Sequence, residues 1–137
     1  MPKHSIATPE APQPAGAYSQ GVGTGSLVFT AGFGPHDPRT GKPRGADIAA
    51  QTVHTLDNIA KVLEAAGTTV SSIVKVTAHL ADLERDFAGF DNAFREYLSA
   101  PYPARTTVGS TLMGILVEID VVALIPKPPT GPGGSVL

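Results

Sequence analysis

The 137-residue sequence contains no cysteine, little charge for its length and no long apolar run. Without cysteine there can be no disulfide, no thiolate metal site and no cysteine nucleophile. Ten basic and twelve acidic residues are scattered along the chain, for a net charge of −2. The clustered Lys and Arg that nucleic acid or an anionic membrane surface would require are missing. No segment reaches the roughly 18 consecutive apolar residues of a membrane span. The N-terminus, Met1-Pro-Lys-His-Ser5, lacks the apolar stretch of a signal peptide. These absences predict a soluble cytoplasmic protein with neither a nucleic-acid nor a membrane partner. What is present is 42% hydrophobic residues, enough for the core of one ordinary domain.

Periodicity places the elements. Ser26 to Ala31 reads as a strand and runs into turn-rich Gly32-Phe-Gly-Pro35 and Asp37-Pro-Arg-Thr-Gly41. Val53, Leu56, Ile59, Ala60 and Leu63 recur at helical spacing, which predicts a helix from about Asp47 to Ala66, with Gly67 just beyond its end. From Ile73 to Leu80 the period falls to two, with Val74, Val76, Ala78 and Leu80 on the apolar face. A second helix is expected with Asp86 as its N-cap and Phe87, Phe90, Phe94, Tyr97 and Leu98 along one side, stopped by Pro101 and Pro103. A turn near Thr111-Leu-Met-Gly114 predicts a hairpin between Arg105–Val108 and the apolar run Ile115–Ile125. One or two further strands are expected before the first helix. The pattern is that of a single α+β domain over residues 1–125, with a Pro/Gly-rich and disordered tail at 126–137. Two helices cannot cover both faces of such a sheet. If both pack on one face, the other needs a partner, and identical subunits packed face to face would form clefts between chains.

The hairpin would also set Arg105 beside Glu118. A carboxylate inside so apolar a run is costly to bury unless paired, hydrogen-bonded or working. An arginine fork and a carboxylate together could bind a small acid and move a proton on it. The plainer alternatives are a solvated cation at a strand start for Arg105 and a solvent-facing alternation for Glu118 and Asp120. Tyr18 alone would be a loop aromatic. The four histidines have no metal-ligand spacing. No nucleophile elbow, dinucleotide loop or P-loop is present.

The same residues carry a family likeness. Ala17-Tyr-Ser-Gln-Gly21, Thr30-Ala-Gly32, Asp37-Pro-Arg-Thr-Gly41, Gln51 to Asn58, Tyr102-Pro-Ala-Arg-Thr-Thr-Val108 and Val117-Glu-Ile-Asp-Val-Val-Ala123 resemble, in order and spacing, the RidA/YjgF/UK-type family of reactive-intermediate deaminases. The resemblance spans about residues 4–125. It implies a chorismate-mutase-like fold with a mixed sheet and both helices on one face, a homotrimer, and sites in the three clefts between subunits. It implies hydrolysis of enamine and imine acids, such as 2-imino acids, to 2-keto acids and ammonia, with no metal or bound cofactor. By the same resemblance Arg105 grips the substrate carboxylate, Glu118 activates water, Tyr18 lines the cleft and the Gly32 backbone meets the ligand. Four positions depart from the usual pattern. Thr107 stands where many members have Cys, Ala31 where Ser is common, Phe33 where Gln is usual, and Asp91 where Asn is common. All four are expected to bind or shape substrate, with Phe33 making the pocket more apolar. A non-catalytic trimer that binds a small carboxylate in the same clefts is the competing reading. Ribonuclease activity, ascribed to some members, is disfavoured by the lack of a basic groove.

Overall fold

Alternation and helical periodicity sort the chain into six strands and two long helices in the computed structural model, which describes residues 2–126. The expected tail therefore lies outside the described residues from 127 onward. Strands β1 (His4–Ile6), β2 (Gly21–Thr24) and β3 (Leu27–Thr30) precede helix α1 (Ile48–Ala65). Asp47 caps α1, its carboxylate accepting from the Ala50 amide at 2.9 Å. Leu56, Ile59, Val62 and Leu63 form its fully buried stripe. Gly67 takes a φ of +86° just past the end, where a side chain would be strained.

Strand β4 (Ile73–Leu80) carries an irregularity between Ile73 and Lys75. It shifts the alternation, so Ile73, Val76, Ala78 and Leu80 are buried while Val74, expected on the apolar face, is exposed. Helix α2 (Leu83–Tyr97) starts one turn before the expected place. Asp82 is the cap, accepting from the Arg85 amide at 3.1 Å. Asp86, expected to be the cap, lies in the first turn and takes two bonds from the Arg85 guanidinium. Acidic residues suit that turn because it holds the positive end of the helix dipole.

Strands β5 (Ala104–Gly109) and β6 (Val117–Leu124) complete a mixed sheet of order β1-β2-β3-β6-β4-β5. Only the β4–β5 pair is parallel, as a strand–helix–strand crossover through α2 requires. The expected hairpin does not form. β4 lies between β5 and β6, and β6 pairs with β3 and β4 instead. Burial gives the reason: Val117, Ile119, Val121 and Ala123 are essentially inaccessible, so β6 takes a central place and the more polar β5 takes the edge.

Both helices cover one face, α1 over β6 and β3 and α2 over β4, and the core lies between them and the sheet. The other face presents Lys75, Thr77, His79, Glu118 and Asp120 together with apolar Phe29, Val108 and Leu124. No helix of the described residues is long and apolar enough to cross a membrane.

Candidate active site

After Thr30 the chain continues alongside β6. The Phe33 amide donates to the Ile119 carbonyl and the Ile119 amide to the Phe33 carbonyl, both at 2.9 Å. Partners in such a bridge point the same way, and Ile119 faces the core. Phe33 is therefore a core residue, 6% exposed, and its ring does not line a substrate pocket as expected. Ala31 also packs against the core. Gly32 and Gly34 face the opposite side; Gly34 is buried there beneath Ile115, and the Glu118 side chain lies over the exposed Gly32 backbone. A Cβ at position 32 would come within 2.7 Å of Glu118 Oε2. Tyr18, Gly32, Gly34, His36, Asp37 and Glu118 line one cavity of about 420 Å³.

Buried amide side chains hold the loops of this cavity. Gln20, 2% exposed, accepts from the Thr8 amide at 2.7 Å and donates to the carbonyls of Thr8, Ala11 and Pro12. Its neighbour Tyr18 stands half exposed, its hydroxyl accepting from the Ala15 amide. Asn58, 1% exposed on α1, donates to the carbonyls of Gly34 and His36 at 3.0 and 2.9 Å. Gln51, two turns earlier on the same face of α1, accepts from the Leu116 amide at 2.8 Å just before β6. Asp37 folds its own turn by accepting from the Arg39 amide, a bond that holds its carboxyl below the ordinary range.

Arg105 lies elsewhere. It pairs in register with Val76, whose side chain is buried beneath the helices, so Arg105 points to the helix-covered face. There its guanidinium sits 5.8, 5.1 and 4.8 Å from the ring centres of Phe87, Phe90 and Phe94. Such contacts hold a planar cation in place at little cost to its charge. Asp91 bridges two arginines, 2.9 Å from Arg105 Nη2 and 2.7 Å from Arg95 Nη2. Two cations share one carboxylate, so the cluster keeps one net positive charge. Asp91, Phe94, Arg95, Tyr102, Pro103 and Arg105 line a second cavity of about 290 Å³. Thr107, two residues along β5, faces the same way and is half buried.

The expected side-by-side placement of Arg105 and Glu118 is thus overturned within one chain. They occupy opposite faces of the sheet with β4 between them, and strand spacings put their Cα atoms roughly 14 Å apart. The chain instead carries two separate charged clusters. One is a carboxylate over bare glycine backbone; the other is a cationic fork at the sheet edge. His36, Gln20 and Asn58 were not singled out from sequence. For Asn58 a signal existed: Gln51, Thr55 and Asn58 are polar residues at helical spacing on a buried face. Elsewhere on the sheet, burial raises the Asp120 carboxyl against the pull of His79 and Lys75. No group of three or more His, Asp or Glu among the described residues could hold a metal ion.

A family model described as endoribonuclease L-PSP matches residues 8–125. A RutC-family protein of Pyrococcus abyssi is 39% identical over 125 residues, covering 90% of this chain and 98% of its own. The 2-iminobutanoate/2-iminopropanoate deaminase of Escherichia coli K12 is 38% identical over 123 residues, covering 88% and 94%. The crystal structure of RidA from an Antarctic Psychrobacter superposes with a TM-score of 0.84 at 36% identity, covering 89% of this chain and 99% of that one. Its α+β architecture, with a mixed sheet and two helices, is the one described above. Matched along nearly its whole described length, the chain belongs to the RidA/YjgF family.

Proposed function

We propose that this protein hydrolyses reactive 2-imino acids to 2-keto acids and ammonia. The catalytic unit spans residues 1–125, has the chorismate-mutase-like fold and assembles as a homotrimer. Each site joins the Arg105 half of one subunit to the Glu118 half of its neighbour. The observation that carries this reading is the division of the site. A guanidinium fork and a carboxylate, each in its own cavity, lie on opposite faces of one sheet. Neither is a complete site alone, while a neighbouring copy could supply the missing half. A relative 38% identical is an imine deaminase by name, which supports the choice of substrate.

Arg105 takes the substrate carboxylate with the donors Asp91 leaves free, a charge-assisted contact of roughly 1.5–3 kcal/mol. The iminium carbon is already electrophilic, so the protein needs only to position it and deliver water. Glu118 accepts the water proton as the C–O bond forms. The Gly32 backbone lets the substrate approach that carboxylate closely.

Mixing the Arg105→Ala and Glu118→Gln proteins after unfolding and refolding tests the arrangement. Imines generated by an amino-acid oxidase are the substrate. Each variant alone should be nearly inactive. Random trimers at equal mixing should regain about a quarter of the wild-type sites, because one neighbour supplies Arg105 and the other Glu118. No recovery, with both variants folded and trimeric by light scattering, would refute a site shared between subunits.

A further inference from the structure

The cavity that holds Glu118 contains a second proton carrier for which the reading so far has no use. His36 lines it, half buried, on the loop that follows Gly34. A Cβ on Gly34 would meet Ile115 Cδ1 at 2.7 Å, His36 Cε1 at 3.0 Å and Nδ1 at 3.1 Å, as one on Gly32 would meet the Glu118 carboxylate. The two glycines are two residues apart in extended chain, about 7 Å. Imidazole and carboxylate therefore line one cavity from neighbouring positions along the same backbone, Gly32 being exposed and Gly34 buried under Ile115 and the His36 ring. A carbinolamine oxygen and nitrogen, each with one hydrogen bond outward, span about 7–8 Å. Buried Asn58 holds the backbone at residue 36 by donating to its carbonyl, and among the described residues the ring has no hydrogen-bond partner.

Resting on the deaminase reading, we propose that His36 is a catalytic residue, the general acid that expels the amine. Water addition leaves a neutral carbinolamine, with the C=N electron pair on nitrogen and the water proton on Glu118. The His36 imidazolium gives its proton to that nitrogen. The C–N bond breaks with its pair leaving on ammonia, and the hydroxyl oxygen closes the C=O. The hydroxyl proton returns to the imidazole. The Glu118 proton leaves with ammonia as ammonium, so both groups end as they began. The charged or titratable groups facing His36 are Glu118 from β6, Tyr18 from the Gln20-held loop and Asp37 beside it, with Arg44 acting on Asp37.

The test uses the full chain and two variants, His36→Gln and His36→Ala, with imine decay followed from pH 5 to 9 and the uncatalysed rate subtracted. His36→Gln should bind a 2-keto acid like wild type and lose about 10- to 100-fold in kcat. It should also lose one limb of the wild-type pH profile. Added imidazole should partly restore His36→Ala and leave Glu118→Gln unchanged, which a merely structural histidine would not produce. Wild-type kcat and pH profile in folded His36→Gln would overturn the proposal while leaving the deaminase reading intact, and so would loss of fold in both variants. A wild-type protein that does not accelerate imine decay would overturn both.

Discussion

Adding a single methyl group at Gly32 should disable the site with every catalytic side chain still present. The glycine has no positive φ, so alanine brings no backbone strain, and the whole effect is steric. Its Cβ would stand 2.7 Å from Glu118 Oε2, 3.0 Å from Cδ and 3.3 Å from Cγ, where ordinary contact begins at 3.4 Å. The carboxylate must therefore retreat by about 0.7 Å, or swing to another rotamer. Misplacing a reacting group by about 1 Å can cost about 100-fold, so kcat should fall about 10- to 100-fold. The clashing atoms end a half-buried, flexible side chain, so stability should change by less than about 1 kcal/mol. Binding of a 2-keto acid through Arg105 should change little. Initial rates on oxidase-generated imines, thermal unfolding and calorimetric titration with the keto acid separate these effects. A folded Gly32→Ala protein with the wild-type kcat would show that Glu118 does not act from where it sits.

Arg105→Ala should weaken substrate and carboxylate binding about 10- to 150-fold, whereas Glu118→Gln should keep keto-acid binding and lose turnover by about 100-fold or more. Calorimetry and imine-decay rates distinguish the two. Phe33→Ala should cost about 3–5 kcal/mol in denaturant unfolding, as a core truncation, and leave the preference between leucine- and alanine-derived imines unchanged. Asp120 gives a pH signature. Burial holds its folded-state carboxyl above the ordinary 3.8, so folding favours the neutral acid. That contribution is complete below 3.8 and is lost as pH rises through the folded value. Asp120→Asn should accordingly raise Tm at pH 7 and leave it unchanged near pH 3; equal shifts at both would refute the burial argument.

Helix α1 was legible because its signals are local: a capping aspartate, an apolar stripe of period 3.6 and a glycine beyond the end. The error at Asp86 was also local: the capping carboxylate is that of Asp82, four residues earlier, while Asp86 is buried in the first turn. The hairpin failed for a different reason. Gly114 and the short connection are real turn signals, and Gly114 does take φ +74°. What β6 pairs with, however, is decided by strands 37 to 97 residues away, and no residue in the turn records that. The side on which Phe33 lies was hidden likewise, because facing is set by its bridge to Ile119. Candidate site residues could be picked out by residue type and resemblance, but not their division between two faces of the sheet.

Gln20, Asn58 and Gln51 give irregular backbone the hydrogen-bond partners that a sheet ladder would otherwise supply. Each amide is anchored in the core, so the loops around the Glu118 cavity cannot fray one at a time. Their opening is tied to the cooperative unfolding of α1 and the sheet. The amide protons of Thr8 and Leu116, both donated to these side chains, should then exchange with solvent as slowly as those in mid-strand. Such a loop pays for its shape in global stability, and any change that loosens the core will be felt first as a blurred cavity.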